Sequence, residues 1–260
     1  MSGSSYRSIG QRQARLLELL RSDLFLDIQS IQDELGVSVA TARRDLSELE
    51  GKGLLKRTHG GATVINQVTR DYAASVREMT NPEEKRCIAE AAAELVVEGD
   101  AVMIDSGTTS LRVAELLAPN PSLTFVTNGT DVLAALVANG ARNVFLIGGE
   151  YIDINRSLGG PMAARAVRGF HVDTAILSVS AVDTKRGVIS TLNPQIGCVQ
   201  QEMIEIAQTT IVVADHTKFE RSALSVIAPL GDIDWFVTDS ATKPVLSSVP
   251  ATLRKKFIFA

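Results

Sequence analysis

Two groups of residues in this 260-residue chain have the types and spacing to do chemistry. The first is the run Asp105-Ser106-Gly107-Thr108-Thr109-Ser110, which leads straight into a helical pattern. Hydroxyls, a glycine and the free amides of a helix N-terminus suit a dianionic phosphate, which the helix dipole also favours. Further polar and glycine-rich stretches follow other apolar runs: Thr127-Asn128-Gly129, Gly148-Gly149-Glu150, Asp183 with Gly187, and Ala214-Asp215-His216-Thr217-Lys218-Phe219. In such a site Lys218 would bring charge to a phosphate, Asn128 an amide, and Glu150 an acceptor for sugar hydroxyls. Neither G-x-x-x-x-G-K-[ST] nor G-x-G-x-x-G occurs, so nucleotide binding has little support. From residues alone, N-capping explains the first loop equally well, Gly148-Gly149 reads also as a tight turn, and Asp215 also as a loop cap.

The second group is Arg43-Arg44 inside Ser38-Val39-Ala40-Thr41-Ala42-Arg43-Arg44-Asp45-Leu46. Ala42, Leu46 and Leu49 recur at i, i+4 and i+7 and share a buried stripe, which leaves Ala40, Arg43, Arg44, Ser47 and Gly51 opposite. A guanidinium fork matches both phosphate and the O6/N7 edge of guanine. For one Arg pair alone a solvated surface helix would explain the pattern as well.

The neighbouring elements decide between these readings. Leu16, Leu17, Leu19 and Leu20 mark a first helix, Ile28, Ile31 and Leu35 a second, and Gly36 with the capping residue Ser38 leads into the third. This is a helix-turn-helix. Leu54–Thr58 and Ala62–Ile65 around His59-Gly60-Gly61 read as a hairpin wing. Ser38, Thr41, Arg43, Arg44 and Ser47 on the helix, and Lys56, Arg57 and His59 on the wing, are the candidate DNA contacts.

After a linker over residues 66–82, a helix is expected near Glu83. Short apolar strands then alternate with helical patterns. The strands are Ala101–Ile104, Leu123–Thr127, Asn143–Ile147, Thr174–Val179, Thr210–Ala214, Trp235–Thr238 and Lys256–Phe259. The helices are Leu111–Leu117, Asp131–Val137, Met162–Arg168 and Gln195–Ala207. Such alternation predicts an α/β domain with a mostly parallel sheet covered on both faces, with ligands at the carboxyl ends of its strands.

Thr41–Leu46, Leu49-Glu50-Gly51-Lys52-Gly53-Leu54-Leu55 and Arg57-Thr58-His59-Gly60-Gly61-Ala62 closely resemble the DeoR family of bacterial transcriptional regulators. The rim motifs, with Ser157-Leu158-Gly159-Gly160-Pro161 and Asp173-Thr174-Ala175, resemble that family's effector-binding domain, which is similar in fold to ribose-5-phosphate isomerase and related sugar-phosphate isomerases. The resemblance implies a DNA-binding repressor of sugar or polyol catabolism genes, controlled by a phosphorylated sugar or polyol. Asp105, Ser106, Gly107, Thr108, Thr109, Asn128, Gly148, Gly149, Glu150 and Lys218 are the candidate effector contacts. The family commonly carries Glu-x-x-x-Lys where this chain has Ile196 and Gln200, so the pocket edge there is expected to be less charged.

The expected domains are therefore a winged helix-turn-helix over 1–65, the linker over 66–82 and a sensor over 83–260. Residues 1–65 hold nine Lys/Arg against eight Asp/Glu, and the remainder seventeen against twenty-two, so the overall charge of −4 masks a less acidic N-terminal part. No apolar run reaches the roughly 18 residues of a membrane span, and the opening residues do not read as a signal peptide, so a soluble cytoplasmic protein is expected. Cys87 and Cys198 lack metal or disulfide spacing, and His59, His171 and His216 are scattered, so no metal, cofactor or catalytic set is expected. The alternative is a sugar-phosphate isomerase with an attached DNA-binding domain, using Glu150 or Asp105 as base. The expected partners are operator DNA, the effector and further copies of the chain.

Overall fold

The computed structural model describes residues 9–23, 25–51, 54–58, 60–63 and 74–260, in two compact units that meet between Thr80 and Asn81. In the first unit the chain forms α1 (Ile9–Asp23), β1 (Phe25–Asp27), α2 (Ile28–Leu35), α3 (Val39–Gly51), β2 (Lys56–Thr58), β3 (Gly61–Thr63) and α4 (Ala74–Glu78). Local chemistry sets these boundaries. Asp27 caps α2 by accepting from the Ser30 amide at 2.7 Å, and Gly36 ends it at φ +63°, where a side chain would be strained. Ser38 Oγ accepts from the Thr41 amide at 3.3 Å and starts α3. Leu16, Leu20, Ile31, Leu35, Ala42, Leu46, Leu49 and Leu55 form one core. Truncating one of these leucines to Ala costs about 2–5 kcal/mol, a large part of the stability of a small unit. The wing has three strands in the order β1-β3-β2, all antiparallel, because Phe25–Asp27 joins the expected hairpin. Val64 and Ile65 of the expected second wing strand, His59, and residues 66–73 of the expected linker lie outside the described residues, and the rest of that linker holds α4.

The second unit begins with α5 (Pro82–Ala93), β4 (Ala101–Ile104), α6 (Thr108–Leu117), β5 (Thr124–Thr127), α7 (Thr130–Ala138) and β6 (Asn143–Leu146). The hairpin β7 (Glu150–Ile152) and β8 (Ser157–Gly159) follows, then α8 (Gly160–Val167), β9 (Val172–Ser178), β10 (Ala181–Asp183), β11 (Val188–Thr191) and α9 (Pro194–Ile206). The chain ends through β12 (Ala207–Val213), β13 (Ser225–Pro229), β14 (Trp235–Thr238), α10 (Ala251–Arg254) and β15 (Phe257–Phe259).

Seven strands form a parallel sheet in the order β15-β14-β12-β9-β4-β5-β6. Alternate residues point to opposite faces. Val102, Ile104, Phe125, Ile176, Ile211 and Val213 pack with Ile88, Val113 and Val132 of α5, α6 and α7. Met103, Val126, Leu177, Val212 and Phe236 pack with Val167, Val199 and Met203 of α8 and α9. Both faces are covered, which is why these strands read as unbroken apolar runs. The order reverses beside β4: the chain runs outward through β5 and β6, then returns to place β9 on the other side. Asp183 and Gly187 do not end a strand of this sheet, contrary to the sequence-based expectation. They close the β10-β11 turn of a separate antiparallel sheet, where Asp183 accepts from the Lys185 and Arg186 amides at 3.1 and 2.9 Å. No helix among the described residues is long and apolar enough to cross a membrane.

Candidate functional site

On α3, Ala42, Asp45, Leu46 and Leu49 are buried, while Val39, Ala40, Arg43, Arg44 and Ser47, with Ser38 just before the helix, are exposed and Thr41 is half-buried. Asp45 falls on the inner stripe, where an unpaired charge would be costly. Arg12 of α1 neutralises it with two parallel hydrogen bonds, Nε to Oδ2 and Nη2 to Oδ1, the second at 2.8 Å. That pairing raises the Arg12 pKa, chiefly through the hydrogen bond to Asp45. The carboxylate next to Arg44 is therefore turned inward and tied to the first helix. Gln13 Nε2 donates to Glu48 Oε2 at 2.6 Å and fixes the same pair of helices. The sequence signal was available: position 45 lies three residues after Ala42, on the buried side.

The wing is held to α3 by two bonds of Arg57, whose amide donates to Glu50 Oε1 at 2.9 Å and whose Nη1 donates to Ser47 Oγ at 2.5 Å. Two of the expected DNA contacts thus bind each other. Arg43 and Arg57 line one cleft with Ile28, Leu46, Thr58, Gly60 and Gly61, between the helix and the wing. Gly61 is required there because a Cβ would lie 1.9 Å from the Leu26 carbonyl oxygen on β1. Lys56 is exposed on β2, and no ion pair engages Arg43 or Arg44 among the described residues. The exposed cations on the outer side of α3 and on the wing suit a polyanion.

The second site lies at the carboxyl ends of the parallel strands. α6 starts at Gly107, which has φ +147° and no side-chain cap, and a Cβ there would lie 2.5 Å from Ser178 Cβ. Ser178, at the end of β9, takes up the Ser110 amide at 3.3 Å and meets Ser110 Oγ at 2.8 Å. The first-turn amides at Thr108 and Thr109 have no intrahelical partner, as at any helix start. Thr109 is buried and Thr108 half-buried. Ser106 donates its amide to Asn128 Oδ1 at 3.2 Å, and Asn128 Nδ2 donates to the Leu158 carbonyl at 3.3 Å, which ties the β4, β5 and β8 ends together. Ser157 Oγ is buried at this rim without a hydrogen-bond partner. Gly149 packs against the Gly159 carbonyl and Ala163, where a Cβ would come within 2.8 Å, whereas Gly148 is exposed. Exposed Glu150 accepts from Gln195 Nε2 at 2.8 Å.

Asp105 is fully buried, and burial pushes its pKa up to about 7 against the hydrogen bonds from Gln200 and Ser106. Asp215 is also buried but behaves oppositely. Burial raises its pKa, yet the charges of Lys218 and Lys85 and the hydrogen bonds of Thr217 outweigh that and bring it to about 2. Asp215 also accepts from Asn81 Nδ2 at 3.3 Å. Asn81, at φ +49°, is the first residue of this unit, so Lys218 on the rim and the entry to α5 share one carboxylate. His216 Nδ1 lies 3.1 Å from both Asp239 carboxylate oxygens, a pairing within the rim that the sequence did not disclose.

The profile of the DeoR-like helix-turn-helix domain matches residues 12–68, and that of the DeoR C terminal sensor domain matches residues 80–240. The chain belongs to the DeoR family. It is 46% identical to the transcriptional repressor AccR of Agrobacterium fabrum, over 98% of this chain and 99% of that protein. It is 31% identical to the lactose phosphotransferase system repressor of Lactococcus lactis, over 90% of this chain and 92% of that one. Ribose 5-phosphate isomerase A from Methanocaldococcus jannaschii is similar to 54% of this chain and 55% of its own, at 12% identity and a TM-score of 0.41, values that carry nothing about function. A DeoR-family regulator is a DNA-binding protein and not an isomerase. Glu150 and Asp105, the bases considered for isomerisation, stand apart in environment, one exposed and hydrogen-bonded to Gln195, the other enclosed beneath Gln200.

Ile196 and Gln200, which stand where the resemblance places a charged pair, are both buried, at 2% and 1% exposure. Gln200 Nε2 donates at 2.7 Å both to Asp105 Oδ2 and to the Ser178 carbonyl, across the point where the strand order reverses. Gln200 thus lies against Asp105 at this rim, where the resemblance placed the pocket edge, although it was not among the candidate contacts.

Proposed function

We propose that the chain represses sugar or polyol catabolism genes, and that a phosphorylated sugar or polyol bound at the sheet rim controls its hold on operator DNA. The observation that carries this reading is the glycine-capped start of α6 at the strand-order reversal, a position where open α/β sheets bind ligands. Thr108 and Thr109 would supply amides and hydroxyls to the phosphate, and Lys218 its positive charge. Asp105, Ser106, Gly107 and Asn128 shape the floor, while Gly148, Gly149 and Glu150 edge the sugar end. The likeness to a lactose phosphotransferase system repressor agrees with control of sugar-related genes.

On DNA, Arg43 and Arg44 would enter the major groove. Ser38 and Thr41 would lie at the start of the reading helix, with Ser47, Lys56, Arg57 and His59 along the backbone. The carboxylate shared by Lys218, Lys85 and Asn81 offers a physical route from ligand to linker. The protein would work in the cytoplasm as a homo-oligomer.

A thermal-shift screen of phosphorylated sugars and polyols tests the reading, since a ligand that binds only the folded state raises the melting temperature. The expected hit loses its effect in Lys218→Ala and Thr108→Val. A shift of equal size in both variants would remove the phosphate from this loop.

A further inference from the structure

We infer that Gln200, with Asp105, reads the sugar or polyol part of the effector from the floor of the site, and that the group meeting them must offer a hydroxyl as hydrogen-bond donor and not a carboxylate. The inference rests on the reading that a phosphate sits at the start of α6. Three observations lead to it. The Ser178 carbonyl can only accept a hydrogen bond, so the nitrogen of the Gln200 side chain must face it. That same nitrogen also serves Asp105 Oδ2, which commits both of its protons. The amide oxygen Oε1 is left buried and without a partner.

Asp105 adds a second buried group, hydrogen-bonded by Gln200 and Ser106 but without a counter-ion. It is enclosed by Gln200, Ser106 and Ser178, and no lysine or arginine is among the groups that hold it. Burial without a counter-ion is also why its pKa rises. One turn earlier on α9, Ile196 supplies no charge and packs close to Gly159, where a Cβ would lie 3.3 Å from Ile196 Cδ1. Beneath this part of the site therefore lie an unsatisfied amide oxygen, a carboxyl group without a counter-ion and an apolar side chain, all buried. A ligand carboxylate would add an anion where no cation meets it. A hydroxyl instead gives Oε1 its missing donor, and a site with a buried unpaired polar group discriminates strongly in favour of the ligand that pairs it.

The test uses matched pairs that differ only in a terminal CH2OH against a carboxylate: glycerol 3-phosphate with 3-phosphoglycerate, erythritol 4-phosphate with 4-phosphoerythronate, and glucitol 6-phosphate with 6-phosphogluconate. Calorimetry on the full chain, with inorganic phosphate as a further probe, gives the ratio within each pair. The expected result is that the polyol member of any pair that binds is held at least tenfold more tightly. Gln200→Lys exchanges the acceptor for an ammonium beside Asp105 and should bring that ratio to one or below. Asp105→Asn, closer in shape and neutral, should narrow it with the fold intact, so the inference stays testable if the lysine variant does not fold. Equal binding of the two members by the wild type, or an unchanged ratio in folded Asp105→Asn, overturns the inference. If Lys218→Ala still weakens both members, the phosphate site survives that failure. If inorganic phosphate and all six compounds fail to bind the wild type, the phosphate site falls and this inference with it.

Discussion

Individual side chains divide the two tasks. Arg43 and Arg44 are exposed opposite the buried stripe of α3, so their replacement by alanine should leave the melting temperature unchanged. If either reads guanine, its loss should cost about 1–3 kcal/mol of operator binding and relax the preference at one base pair. A phosphate contact would instead lower affinity for all sequences and make the salt dependence shallower, by about one unit of slope per contact. Titrations of specific and scrambled DNA at several salt concentrations separate the two. Arg12→Met should act on stability, because it leaves Asp45 buried without its partner. We expect a loss of about 3 kcal/mol, at the low end for a broken buried pair because the Arg12 side chain keeps 14% exposure. Asp105 sets a pH signature. Its folded pKa of about 7 lies above the ordinary carboxylate value of 3.8, so the folded state holds a proton that the unfolded chain releases. Its contribution is then complete below about pH 4 and declines as pH rises towards 7. Melting temperatures across that range should fall less steeply in Asp105→Asn, and parallel curves would contradict the assignment.

At the scale of elements, what the sequence disclosed depended on how far apart the partners lie. All seven parallel strands were legible, since burial on both faces makes the inner ones apolar runs and the edge strand β6 is apolar too although Phe145 and Leu146 are exposed, and the main helices followed from their spacing. β1, β7, β8, β10, β11 and β13 were missed. They have three to five residues each, and pairs such as Val188 with Pro229 are made across long stretches of chain. The site followed the same rule. The α6 loop was readable because its groups are consecutive, whereas Gln200 to Asp105 and Arg12 to Asp45 join residues 95 and 33 positions apart. Gly107 carries the element-scale prediction. Its φ of +147° and a Cβ position 2.5 Å from Ser178 leave no room for a side chain between α6 and β9. Gly107→Ala should lower the melting temperature and weaken effector binding together, because backbone strain adds to the clash. Gly148→Ala is the control: nothing lies within 4 Å of its Cβ position, so its melting temperature should match the wild type.

For the whole molecule, one short reading helix offers little surface for specific recognition, so two heads should act together on half-sites separated by about 10–10.5 bp or a multiple of it. Footprinting should show paired protected segments, and tight binding of a monomer to an isolated half-site would contradict this. The central claim is that the rim and the reading head are coupled. A coupling free energy is reciprocal, so a ligand that changes operator affinity must have its own affinity changed by the same factor when DNA is bound. The most direct measurement is operator affinity by fluorescence anisotropy, with and without a saturating phosphorylated ligand, for the wild type and Lys218→Ala at the same ligand concentration. The account predicts a change of about 5-fold or more in the wild type and none in Lys218→Ala, with equal operator affinity for the two proteins when no ligand is present. An operator affinity indifferent to a ligand that binds the wild type, or a full response retained by Lys218→Ala, would contradict it.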